Sequence, residues 1–156
     1  MYLVSVLLLM VVIPAFSIAA DFFRGSAPLM FLVGKWFVFW AAGVRLLLAG
    51  LRQFFQPRFT SEKIFGINSD DPLPIVRELG VANFSTGVVG YISLWRPTFV
   101  LPVAIIAAIF YGVAGFRHAM QKHRNANENV AMITDIFAAL VFCAFLVFTY
   151  RVHAGL

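Results

Sequence analysis

The chain has 156 residues, of which 62% are hydrophobic and 12% charged, about half the charged fraction usual in a soluble domain. Its net charge of +5 is carried at the ends of apolar runs and in short connections, not along one solvated face, which argues against nucleic acid as a partner and for anionic lipid headgroups. The single cysteine, Cys143, lies inside an apolar run, so an internal disulfide and a thiolate metal site are both excluded and the residue reads as a small buried apolar side chain.

A helix needs ~20 apolar residues to cross ~30 Å of hydrocarbon with its backbone bonded internally. Five segments approach that length: Tyr2 to Phe23, Leu29 to Leu51, Leu79 to Leu94, Phe99 to Met120 and Ala131 to Tyr150. The expected fold class is therefore all-α, an integral membrane helical bundle of five transmembrane helices. The first segment ends in FSIAADFF, where Ser17, Ala19 and Ala20 resemble a signal-peptidase site, although no positively charged stretch precedes it. Residues 1–25 thus read as a first transmembrane helix or a signal peptide. Residues 26–156 read as a four-helix membrane bundle with an interfacial loop over 52–77, and the bundle has four helices in all if the N-terminal segment is cleaved.

In the second segment Lys35 snorkels outward, while Arg45 falls about two turns before the inner end. RLLLAGLRQFF carries this helix past a membrane thickness, tilting or bending into the headgroup plane, until Pro57 ends it. In the loop that follows, Thr60 or Ser61 is placed to cap a short turn, SEKIFG, and Asp71 to cap the third helix with Pro72 at its first position. The loop reads as a solvated connector or as an interfacial lid. In the third segment Gly80, Asn83, Gly87 and Gly90 share one stripe, and small residues at that spacing let another helix approach closely. Glu78, Ala82 and Ser85 fall nearly opposite, which makes this helix central, with neighbours on both sides.

In the fourth segment Tyr111, Gly115 and His118 share a face that aims the phenol and imidazole at one pocket. Asp135 sits just over one turn inside the fifth, whose entrance offers Asn127 or Asn129 as caps, with Glu128 near the positive end. Unpaired charge inside a bilayer costs a few kcal/mol, so Arg45 or Arg117 is expected to meet Asp135 or Glu78, with Asn83 and His118 completing the hydrogen bonds. The expected cluster, Arg45, Glu78, Asn83, Tyr111, His118 and Asp135, is either structural glue or a ligand site. Orientation follows the basic residues: Arg52, Arg58, Lys63 and Arg77 in one loop and Arg117, Lys122 and Arg124 in another, against Arg24, Arg96 and Arg151 opposite. Loops 52–77 and 119–130 are thus expected to be cytoplasmic.

Catalytic signals are thin, with no Glu-x-x-His pair and no H-E-x-x-H motif, so the reading leans away from an enzyme and names no cofactor and no metal site. No inverted repeat marks a transporter. The stretch KHRNANENVAM places His123, Asn125 and Glu128 in an H-x-N-x-x-E order that resembles the membrane-associated eicosanoid and glutathione metabolism family, but there three spans follow the element and here only one does. RELGVANFSTG, GVAGFRHAMQ and NANENVAMITDIF together resemble a family of uncharacterised bacterial integral membrane proteins, a domain of unknown function, over Trp36 to Phe148, with a more distant DoxX-like four-helix character. That resemblance implies a bacterial inner membrane and carries no activity with it. Three roles stay open. The leading one is an accessory or interaction subunit, alone as a homo-oligomer or within a larger membrane complex, with Gly80, Gly87 and Gly90 at the helix contact. The alternatives are a binder of a quinone or lipid at the polar cluster and a glutathione-dependent membrane enzyme.

Overall fold

The computed structural model describes residues 2–155, apart from the side chain of His153. Its main elements are five helices: α1 (Tyr2–Phe23), α2 (Leu29–Phe55), α3 (Leu73–Ile92), α4 (Val100–Met120) and α5 (Ala126–Ala154). A π turn at Phe59–Ile64 lies between α2 and α3, and a 3-10 turn at Pro97–Phe99 leads into α4. Four of the helices, α1, α2, α4 and α5, are long and apolar enough to cross a membrane; α3, which carries Arg77, Glu78 and Asn83, is not among them.

The helix ends follow local chemistry. Gly25, at φ +68°, makes the reversal after α1 with its N–H on Phe22 O, and Pro28 opens α2. Gln56 leaves the helical region because Pro57 follows it, so α2 runs as one helix to Phe55. Helix α3 starts at Leu73, so residues 74–78 are helical, and the position before it is Pro72, with no side-chain cap from Asp71. At α5 the cap is Asn125, not Asn127 or Asn129: its Oδ1 accepts from the Glu128 N–H at 2.9 Å.

Helix α2 is the centre of the molecule, touching each of the others. Half of its apolar window is buried, against 17% for α1, 28% for α4 and 33% for α5. This corrects the expectation that α3 is central. The Gly80, Asn83, Gly87 and Gly90 stripe of α3 is buried as expected, but it all faces α2, while Glu78, Ala82 and Ser85 on the other side are exposed. The approach is backbone to backbone: a Cβ at Gly90 would lie 2.8 Å from Gly43 Cα, one at Gly80 would lie 2.9 Å from Gly50 O, and one at Gly87 would overlap the Leu47 backbone. Helix α2 supplies its own small residues, Gly43 and Gly50, to meet them. A second tight seam joins α4 and α5, where Gly115 lies under Ile136 and Tyr111 stacks on Phe142 with 6.2 Å between ring centres.

The two seams close on a shared core that includes Met10, Val38, Ala41, Val103, Ala107, Tyr111, Ala138 and Phe142. At one end, α1 is tied to α2 by polar bonds: Asp21 accepts from Lys35 Nζ at 2.7 Å and Trp36 Nε1 at 3.0 Å, and Ser17 accepts from Trp40 Nε1 at 3.1 Å. Lys35 is therefore paired, not simply extended toward an interface. Cys143 is exposed on α5, which corrects its reading as a buried residue.

Candidate functional site

Within α2 the residues Val38–Val44 form a π segment just before Arg45. The Arg45 N–H donates to Trp40 O, one residue further back than in a regular α-helix, and Ala41 O instead accepts the Tyr111 hydroxyl at 2.5 Å. The widened turn thus gives the buried phenol its partner and sets the phase from which Arg45 projects. Arg45 then meets Asp135 of α5, Nη2 to Oδ1 at 3.2 Å, and its guanidinium lies 5.1 Å from the centre of the Tyr111 ring. Both charged side chains are largely removed from solvent, 13% and 8% exposed, so each is the condition for the other's burial.

One turn and more away, His118 of α4 is held by Glu128 of α5, Nδ1 to Oε1 at 3.1 Å, and stacks on Phe65, with ring centres 5.9 Å apart. Glu128 is 3% exposed. On the other side of α2, Asn83 donates through Nδ2 to Gln53 Oε1 at 2.8 Å. These groups surround a cavity of about 290 Å³, whose wall includes Arg45, Asn83, His118 and Asp135. Helix α1 closes one side of it with Tyr2, Ser5, Val6 and Leu9, and Phe59, Thr60, Ile64 and Phe65 cover it from the connection between α2 and α3. That connection is fastened: Asn125 Nδ2 donates to Ile64 O at 3.0 Å, Asn127 Nδ2 to Lys63 O at 3.2 Å, and Ser61 Oγ to Ile67 O at 2.9 Å.

Four of the six expected cluster residues therefore share one cavity. Tyr111 is buried beside it, but its hydroxyl is turned to Ala41 and does not reach the cavity wall. Glu78 is separate: it is exposed on α3, off the cavity, and forms no ion pair or hydrogen bond among the described residues. Arg117 is exposed as well and takes no part in the pairing. Asn83 and His118 do not bond to the Arg45–Asp135 pair, since Gln53 and Glu128 occupy them. Tyr2, Gln53 and Glu128 were not expected at the site. The signal available for Glu128 was its ten-residue separation from His118 across a short turn, masked by its position in the first turn of a helix, where a carboxylate is ordinarily an end-charge feature. His123 is exposed while Glu128 points inward to His118, so the H-x-N-x-x-E residues form no common site.

The model of a family of unknown function, DUF6790, matches residues 1–155. The chain belongs to that family. The DUF6790 match extends beyond the Trp36 to Phe148 stretch that carries the resemblance and takes in α1, with its side of the cavity. No curated protein and no solved structure matches the chain.

Proposed function

We propose that this DUF6790 chain is a multi-pass membrane protein that binds a small amphipathic molecule in the cavity between its helices. The observation that carries the reading is the cavity itself: about 290 Å³, near the lower end of the ~300–1,000 Å³ usual for ligand sites, lined by apolar side chains with Arg45, Asp135, His118 and Asn83 among them. The paired charges Arg45 and Asp135 border this open space. In this reading all five helices cross the bilayer, α3 doing so because its polar stripe is turned to α2. The N-terminus is inside and the C-terminus outside, with loops 52–77 and 119–130 in the cytoplasm of a bacterial cell. The same reading keeps helix α1 in the protein, and the place of Tyr2, Val6 and Leu9 in the wall supports it.

Native mass spectrometry of protein extracted with its lipids tests this. A co-purifying small amphiphile should be present in the wild type and absent from Ala114→Phe, which fills the cavity from α4. Equal occupancy of the two proteins would remove the reading.

An accessory or interaction role is supported by a different observation, the exposed Glu78, Ala82 and Ser85 face of α3. A carboxylate on a helix in a bilayer calls for a partner. Crosslinking from position 82 to a second membrane protein, or to another copy of the chain, is its test.

A further inference from the structure

The cavity wall carries two arginines, and only one of them is neutralised. Arg45 is bound to Asp135, whereas Arg52, two turns along the same helix, forms no ion pair among the described residues and rests on the Phe59 ring, 3.4 Å from its centre. Next to it, Gln53 gives its carbonyl to Asn83, but its Nε2 has no hydrogen-bond partner among the described residues. Arg52 is exposed and Arg45 is not, so Arg52 and Gln53 stand at the mouth and the Arg45–Asp135 pair lies deeper. The wall also carries apolar side chains, among them Leu9, Leu46, Leu48 and Phe110.

Resting on the binding role proposed above, we infer that the ligand is a single-chain amphiphile with a carboxylate head. The Arg52 guanidinium and the Gln53 amide N–H groups hold the head, and the tail lies among Leu9, Leu48 and Phe110. A guanidinium offers a planar pair of N–H donors that matches the two oxygens of a carboxylate, and an anion there balances the wall's one unpaired charge. The cavity volume of about 290 Å³ suits a single chain.

The test is binding of radiolabelled decanoate to protein immobilised in phosphatidylcholine nanodiscs, with decanol as the neutral competitor and Arg52→Gln and Ala114→Phe as variants. Saturable decanoate binding is expected, with decanol competing at least about tenfold more weakly, the equivalent of one charge-assisted contact. Arg52→Gln should weaken decanoate by a similar factor and leave decanol unchanged, and Ala114→Phe should abolish both. If decanoate and decanol compete equally and Arg52→Gln changes neither, the carboxylate assignment is overturned while the binding role stands. If phosphatidylglycerol in the disc displaces decanoate from the wild type, the anion is a bilayer headgroup and the single-chain assignment is overturned. If no saturable site is found, or Ala114→Phe binds like the wild type, the binding role falls with it.

Discussion

The Tyr111 hydroxyl donates to the carbonyl of Ala41 at 2.5 Å, across the contact between α4 and the π segment of α2. Both residues are fully buried. Tyr111→Phe leaves the Ala41 carbonyl without that donor and should cost about 1–3 kcal/mol. Unfolding in mixed detergent micelles measures this. A variant as stable as the wild type would mean that the π segment satisfies its own backbone.

Asp135→Asn removes the charge that faces Arg45 while keeping the size of the side chain. Stranding a buried guanidinium should cost about 3–5 kcal/mol, and Arg45→Gln in the same chain should recover part of it. A double-mutant cycle read by thermal unfolding isolates the coupling. Additive single effects would show that the two side chains do not depend on one another.

At the α2 and α3 seam, Gly87→Ala drives a methyl into the Leu47 backbone and should destabilise the protein by about 1–3 kcal/mol. Gly112→Ala is the contrast, because its nearest neighbour would be the Ala139 Cβ at 3.9 Å, and replacing a helical glycine there should be neutral or gain up to about 1 kcal/mol. Melting temperatures of the two variants should move in opposite directions or only the first should move. Equal losses would contradict the close approach of the helices.

The cover over the cavity is fastened by Asn127 through one hydrogen bond to Lys63 O, and Asn127 does not cap α5. Asn127→Ala should therefore raise amide exchange across residues 59–67 without raising it in the first turn of α5, whereas Asn125→Ala should raise both. Indistinguishable exchange patterns would argue that the cover is held by its own packing.

What could be read beforehand divides along a physical line. Periodicity reports which side chains of one helix share a face, so the Gly80, Asn83, Gly87 and Gly90 stripe and the inward direction of Arg45 and Asp135 were legible. It does not report which helix receives a face. The stripe on α3 is met by Gly43 and Gly50 of α2, and it is α2, not α3, that holds the central place. Glu78 shows the same limit: polarity on a helix in an apolar chain suggested burial against a neighbour, and the side chain is instead exposed. The π segments leave no trace in hydropathy, because they insert one residue into a continuing helix without altering its composition. The His118 to Glu128 pair depended on how sharply the chain reverses after Met120, which only the packed α4 and α5 determine.

The proposed function requires a cavity open to polar solvent or ligand between helices whose outer faces meet lipid. Substituted-cysteine labelling in a Cys143→Ala background, with a small water-soluble thiosulfonate on membrane vesicles, measures that directly. Ala114→Cys, on the cavity wall, should react. Ala107→Cys, fully buried in the core, and Ile109→Cys, 63% exposed on the outer face of α4, should not. Reaction at Ile109 with none at Ala114 would contradict both the cavity and the membrane setting.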